Sequence, residues 1–247
     1  ARQYIQSDRY ENDVDQLIFL GTPHLGAPYS YLMWEAGEIG TKTGDTGERL
    51  RDSFMKFILS REAKKANYDS LFSYVRNKPI LSVQELLPIY DYLRDKFTGV
   101  LRIYPDNYPR NTFLENLKIG VLDLLGKVNI TSIVGELGAG STLNTIRVVD
   151  SPNLLLWEHG YPDGFDGSIV DRGFEFGFGD GTVPKSSSEF ITGDLNEIFS
   201  GHNTMLTNAE GLVFKKLTGK DATILIDHGF SISPKLLFHS RRSSMHL

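Results

Sequence analysis

An aspartate and a histidine, 22 residues apart, stand in sequence contexts that suit acid–base chemistry. Asp180 lies in FGFGDGTVP, where the surrounding glycines allow a sharp turn and Val183 can anchor the next segment in a core. His202 lies in FSGHNTML, just ahead of a helical segment. An acyl-transfer triad needs a nucleophile, a histidine base and an acid that orients the histidine. The pair therefore predicts two of its three members, with Asp180 as the acid and His202 as the base.

Short apolar runs indicate the elements that would position this pair. The run VDQLIFL ends in a glycine- and proline-rich turn, GTPHLGAP, and suits a strand buried on both faces of a parallel sheet. The predicted strands are 14–20, 128–137, 145–150 and 222–227. The predicted helices outside the middle of the chain are 1–10 and 208–219. Functional loops in open α/β sheets follow the carboxyl ends of strands, so this pattern predicts an α/β fold with its site there.

The middle of the chain changes to helical periodicity and predicts an insertion between core elements. The sequence over 47–66 places Leu50, Phe54, Phe57 and Ile58 on one face of a helix. Two further segments, 82–97 and 111–125, are predicted to be mostly helical, and Pro88 should kink or divide the first of them. The glycine-containing stretch 151–179 is predicted to be loop.

The composition limits the classes of function. The chain has 247 residues, of which 40% are hydrophobic and 23% charged, as in ordinary globular proteins. The net charge of −5 argues against nucleic acid as the main partner. Cysteine does not occur, which excludes disulfides, cysteine-ligated zinc and a cysteine nucleophile. The sequence also lacks an apolar stretch of about 18 residues, so no membrane span is predicted.

Three segments resemble one family. LIFLGTPHLGAP, GDGTVP and GHNTML are similar to the lecithin:cholesterol acyltransferase-like branch of the α/β-hydrolase superfamily, which includes bacterial lipases and esterases. SVQELLPIYDYL also resembles a cap segment of these enzymes, and the resemblance covers roughly residues 1–217. It implies a mostly parallel sheet flanked by helices with a helical cap, no cofactor, and a lipid-like ester substrate. It also implies that Asp180 is the triad acid and His202 the base, and leaves hydrolysis and acyl transfer both open.

The resemblance divides the chain into four parts. Hydrolase core is expected over 1–28 and again over 126–220, where the acid and the histidine lie. A helical cap is expected over 29–125, and 221–247 would be an extension that could begin a further domain. The resemblance also favours an exported protein, although the sequence itself does not fix the compartment.

The nucleophile of the predicted triad is not recognisable. The nucleophile elbow reads G-x-S-x-G, and Ser141 comes closest but has Ala139 and Leu143 where glycines are needed. In the resembled family the helix that follows the elbow precedes the strand ending in GTPH, and ARQYIQSDRY takes that place here. We therefore expect the serine, the oxyanion-hole donors and the first strands on a segment of the same fold ahead of Ala1. An unpaired sheet edge and poor stability of the isolated chain would follow.

Other residues are candidates with two interpretations each. His24, in the GTPH turn, could line an acyl pocket or fix the loop through a hydrogen bond. Met33 and Trp34, at the start of the cap, could contact a lipid chain or simply pack beneath the cap. We predict all three as substrate-binding residues and leave the packing alternative open.

The segment YPDGFDGSIVDRG contains three further acids. Asp163, Asp166 and Asp171 could bind calcium or compete with Asp180, but their spacing is not that of an EF-hand and a solvated loop is favoured, so no metal site is predicted. His228 is a rival to His202 that lies beyond the resemblance. Besides the enzyme, the sequence leaves open a non-catalytic lipid- or partner-binding domain and a calcium-dependent structural domain.

Overall fold

This computed structural model describes residues 1–41, 46–77, 81–153, 155–167 and 171–221. The chain divides into two compact units, 1–206 and 207–247. The first unit contains two β-sheets together with Asp180 and His202. The described part of the second unit continues the last helix and includes an ion pair between Lys215 and Asp221 at 2.9 Å.

The described ranges contain both strands and helices. The strands are β1 Gln16–Leu20, β2 Leu93–Asp95, β3 Asn129–Gly135, β4 Thr142–Val149, β5 Tyr161–Pro162, β6 Phe174–Gly177 and β7 Asp194–Ile198. The helices are α1 Arg2–Ile5, α2 Tyr29–Ala36, α3 Thr46–Lys65, α4 Leu71–Arg76, α5 Leu81–Glu85, α6 Thr112–Ile119, α7 Val121–Lys127, α8 Lys185–Ser188 and α9 Met205–Thr218. A 3-10 turn, His202–Thr204, precedes α9. The helices α2–α5 and the strands β3–β6 are each consecutive along the chain.

The first sheet is parallel, with strand order β1-β3-β7. Its central strand β3 is buried along almost its whole length, and the polar side chains of Thr131 and Ser132 are buried together with its Ile and Val residues. One cluster packs this sheet against α1 and α7, and includes Ile5, Phe19, Leu124 and Ile130. The sequence prediction of an α/β protein with a parallel sheet is confirmed by this arrangement.

The second sheet is mixed and is built around β4. Strand β2 pairs with β4 in parallel, whereas β5 and β6 pair with it in antiparallel orientation. An aromatic cluster packs against this sheet and includes Tyr31, Tyr92, Trp157 and Phe165. The β4–β6 pairing bears on the predicted site because β6 leads directly into the turn that carries Asp180.

Several predicted elements differ in the structure. The predicted helix over 82–97 ends at Glu85, because Pro88 cannot continue a helix, and the chain is extended in β2. The segment 29–125, which was predicted to be a helical cap, is therefore not wholly helical. The predicted loop 151–179 contains β5 and β6, whose pairing with β4 is a tertiary effect that a short segment does not reveal. Of the helix predicted over 1–10, only α1 is helical in the structure. The strand predicted over 222–227 lies outside the described residues.

The helices of the described ranges are short or partly polar. None of them combines the length and the apolar character that a membrane crossing requires.

Candidate active site

The structure brings Asp180 and His202 together. Oδ2 of Asp180 lies 2.8 Å from Nδ1 of His202, and the backbone N–H of His202 donates to the carbonyl of Asp180 at 2.8 Å. The other carboxylate oxygen accepts the backbone N–H groups of Thr182 and Val183 at 2.9 and 2.7 Å. Asp180 is only 2% exposed, whereas the His202 side chain is 36% exposed. The acid is thus fixed by its surroundings, and the imidazole keeps a side open to solvent.

The electrostatics of the pair favour a charged imidazole. The hydrogen bond to Asp180 raises the pKa of His202 above its ordinary value, against the opposing effect of partial burial. A carboxylate on Nδ1 also selects the tautomer whose Nε2 can accept a proton. Within the described ranges the ring makes no second hydrogen bond, so Nε2 has no protein hydroxyl as its partner there.

The turn that carries Asp180 is held by two hydroxyls at the start of β4. Thr142 accepts the N–H of Gly181 at 2.8 Å, and Ser141 donates to the carbonyl of Gly179 at 3.0 Å. Gly179 and Gly181 have φ values of 152° and 88°, which glycine adopts without strain. Ser141, the serine closest to an elbow pattern, therefore directly precedes β4 and bonds to the backbone of the acid turn.

Two glycines at strand ends leave room for the pair, and neither was predicted from the sequence as part of the site. A Cβ placed on Gly21, just after β1, would lie 2.9 Å from Oδ2 of Asp180 and 3.3 Å from Nδ1 of His202. A Cβ on Gly135, at the end of β3, would lie 2.9 Å from Cβ of Asp180. The available signal was a glycine at or near the end of each of these predicted strands. The carboxyl edge of the first sheet is therefore in contact with the acid and the histidine, as in open α/β proteins.

Two adjoining cavities open onto His202. One, of about 310 Å³, is largely apolar and is lined by Met33, Ile39, Val83 and Leu86 among others. The other, of about 520 Å³, contains Asp180, His202 and several polar side chains of the neighbouring loops. Ile39 and Thr182 border both cavities, so a polar cleft and an apolar pocket meet beside the imidazole.

The three predicted substrate-binding residues occupy different places. Met33 lines the apolar pocket. Trp34 packs in a cluster with Val75 and other apolar residues, and the guanidinium of Arg76 lies 4.6 Å from its ring. His24 is 1% exposed, and its ring centre lies 4.4 Å from that of Phe19. Neither His24 nor Trp34 lines the two cavities, and their substrate contacts stay predictions.

His24 is chemically distinct from His202. Burial, and then the charge of Arg2, lower the pKa of His24 to about 3, so its ring is neutral at physiological pH. Neither ring nitrogen has a hydrogen-bond partner within the described part of the chain. The loop-fixing hydrogen bond that the sequence suggested for this side chain is therefore not made among those residues.

The rival acids are engaged elsewhere. Arg147 bonds to Asp171 at 2.6 Å and to Asp163 at 3.2 Å, and Lys96 bonds to Asp163 at 2.7 Å. Asp166 accepts the hydroxyl of Tyr161 at 3.0 Å. Across the described ranges, no three His, Asp or Glu side chains cluster closely enough to hold a metal ion. His228 lies outside the described residues.

A scan against models of protein families finds no match to this chain, and a search of curated proteins finds none.

Proposed function

We propose that this chain supplies the acid and the base of a serine ester hydrolase or O-acyltransferase that acts on lipid-like esters, on an α/β-hydrolase core with a cap. The observation that carries the proposal is the 2.8 Å contact between Oδ2 of Asp180 and Nδ1 of His202, with the apolar pocket beside the same imidazole. A buried carboxylate, an oriented histidine and an acyl-sized apolar cavity are what acyl transfer from an apolar ester needs.

The roles of the two residues follow from their bonds. A serine from outside the described residues attacks the ester carbonyl, and Nε2 of His202 takes its proton. Asp180 holds the Nδ1–H tautomer and stabilises the imidazolium. His202 then returns the proton to the leaving alcohol, which gives an acyl-enzyme. Water or a second alcohol, deprotonated by His202, attacks that acyl-enzyme and releases the product and the serine.

The pH dependence of the reaction follows from the direction of the His202 shift. His202 must be neutral to accept the serine proton, and its hydrogen bond to Asp180 raises its pKa. Activity is therefore expected to rise with pH through that elevated pKa and to be low below it.

A second candidate function uses the same cavity without catalysis. The apolar pocket of about 310 Å³ could hold an acyl chain in a hydrolase-like domain that has no working nucleophile. The two candidates differ in one property, which is whether an activated serine accompanies His202.

Fluorophosphonate labelling, followed by intact mass and peptide mapping, tests for that serine. It should be applied to the 247-residue chain and to the full-length gene product. We expect an adduct on a serine ahead of Ala1, and at least a hundredfold slower labelling after His202→Gln, the range of positioned acid–base catalysis. His159→Gln is the matched control, because His159 also bonds through Nδ1 to a buried carboxylate, Glu35, at 3.0 Å but lines neither cavity at His202. The control should label at the normal rate.

The outcomes separate the candidates. An adduct that needs His202 supports the enzyme. An adduct on a serine within the 247 residues would keep the pair catalytic but overturn the expected position of the nucleophile. No adduct in either protein, with saturable binding of a fatty acid, would favour the binding domain.

A further inference from the structure

The longest helix of the insertion, α3, has apolar residues on two faces. Its inner face packs on the rest of the unit: Ala63 is 1% exposed, Leu59 joins the cluster around Trp34, and Lys56 pairs with Glu38 at 2.6 Å. Leu50, Phe54 and Phe57, spaced by four and three residues, form another face. Their exposures are 70%, 60% and 64%. Three of the four residues that the sequence places on one face of this helix are therefore exposed to solvent.

The charge of α3 is opposite to that of the chain. Six basic and three acidic residues leave the helix with a net charge of +3, in a chain of net charge −5. The exposed stripe continues along the helix into Arg61 and Lys64, both exposed. Neither forms an ion pair in the part of the chain that the structure describes. The outer face of α3, defined as Leu50, Phe54, Phe57, Arg61 and Lys64, is thus apolar in its first half and basic in its second.

The same helix borders the candidate active site. Arg51 and Asp52 of α3 line the polar cleft that contains His202. The helix that carries the outer face therefore also lines the polar cleft, through Arg51 and Asp52.

We propose that the outer face of α3 docks on an anionic phospholipid surface. Apolar side chains that contact a membrane are buried at the headgroup boundary, and neighbouring Lys and Arg contact the lipid phosphates. On the outer face of α3 these two kinds of side chain follow one another along the same stripe. Each basic residue near an anionic membrane adds attraction to lipid phosphates. A purely apolar partner would leave Arg61 and Lys64 without a role, so charge complementarity selects anionic lipid over a hydrophobic protein surface.

Vesicle co-sedimentation of the full chain tests the proposal. Vesicles of phosphatidylcholine with phosphatidylglycerol should bind the chain, and vesicles of phosphatidylcholine alone should bind it much more weakly. The double variant Phe54→Ser, Phe57→Ser should lower the partition coefficient about tenfold or more, because both rings leave the apolar boundary. Arg61→Gln with Lys64→Gln should lower binding to the anionic vesicles by a similar factor.

The matched control is Ile119→Ser with Leu122→Ser. These side chains are 83% and 84% exposed but lie on α6 and at the start of α7, so their removal should leave vesicle binding unchanged. Circular dichroism melting of each variant checks that it remains folded.

Three results would overturn the proposal: no binding to anionic vesicles, equal binding by the phenylalanine variant, or equal binding to neutral vesicles. Light scattering tests a fourth result. If the chain is a dimer that dissociates in the variant Phe54→Ser, Phe57→Ser, and if vesicles do not bind, the outer face of α3 would contact a second copy of the chain instead. Vesicle binding is measured without turnover, so its failure is distinguishable from a failure of the proposed ester chemistry.

Discussion

Two carboxylate–histidine pairs occur in the described residues, and their surroundings give them different chemistry. Asp180 receives only neutral backbone N–H groups besides His202, so its charge is available to the imidazole. Glu35 is also fully buried and bonds to His159, but Arg76 lies 2.9 Å from the same carboxylate and neutralises it. A pair of this kind thus becomes a candidate catalytic pair where the carboxylate has no other cation and the histidine borders a cavity.

Gly21 offers a direct test of the Asp180–His202 bond. In Gly21→Ala the new Cβ would crowd Oδ2 of Asp180 at 2.9 Å, so the carboxylate must move away from His202. Because that hydrogen bond raises the pKa of His202, we expect the variant to lose its imidazole proton at lower pH. NMR titration of the His202 Cε1–H resonance measures this shift.

The control for that variant is Gly99→Ala. Gly99 also has a left-handed φ, of 70° against 52° for Gly21, but a Cβ there would meet nothing within 4 Å. Alanine therefore introduces similar backbone strain at both sites and a collision with the pair at only one. An unchanged His202 titration in Gly21→Ala would show that the pair tolerates the added carbon and that the glycine is not required for it.

Among the elements, those with strong local signals were predictable and those made by pairing were not. The apolar run ahead of Gly21 and the β-branched run ahead of Gly135 correctly predicted β1 and β3, because apolar and β-branched side chains favour buried strands. Strands β2, β5 and β6 have two to four residues each and exist through their pairing with β4. The periodicity of α3 correctly predicted a helix but could not reveal which of its two apolar faces would be buried.

The acid and the histidine of the candidate site were identified from local sequence, since glycines and a following helix mark both turns. The bond between them could not be derived locally, because it joins loops that follow β6 in one sheet and β7 in the other. The lining of the apolar pocket was also beyond local patterns. It combines side chains from α2 and α5 with the residues after Asp180.

A buried charge cluster connects the elements above the second sheet. Glu35 of α2 accepts from Arg76 of α4 and from the backbone N–H of His159, at 2.9 and 3.1 Å. The carbonyl of Glu35 accepts the N–H of Trp157 at 3.0 Å. One residue therefore joins two helices and the loop that precedes β5.

Replacing Glu35 should destabilise this connection. We expect Glu35→Gln to lower the free energy of unfolding by about 3 kcal/mol, since it removes one partner of a buried pair and leaves the Arg76 charge undercompensated. Urea denaturation measures the difference. The control Glu62→Gln breaks a pair with Lys65 that is largely exposed, and should change stability by less than about 1 kcal/mol. Equal effects of the two variants would contradict a special role for the buried carboxylate.

At the scale of the whole molecule, two histidines should give stability opposite pH dependences. The pKa of His24 is lowered to about 3, so the unfolded chain binds a proton on His24 below about pH 6.5 while the folded chain does not. Stability is therefore lost as the pH falls through this range. The pKa of His202 is raised, so its contribution is fully present below about pH 6.5 and is lost as the pH rises through its folded value.

Substitution should separate these two contributions. At pH 5.0 the neutral His24 lowers the free energy of unfolding by about 2 kcal/mol. This pH is roughly 1.5 units below the ordinary pKa of histidine, and each unit corresponds to about 1.4 kcal/mol. His24→Phe keeps an aromatic ring against Phe19 and removes the titrating nitrogens, so the loss of unfolding free energy between pH 7.5 and 5.0 should shrink by about that amount. His202→Gln should make the same loss larger, because it removes a group that stabilises the acid side. Urea unfolding at both pH values measures the differences. An unchanged pH dependence of the unfolding free energy in His24→Phe would contradict the prediction. It would mean that His24 binds its proton equally well in the folded and unfolded chain, which a ring buried in this way could not do.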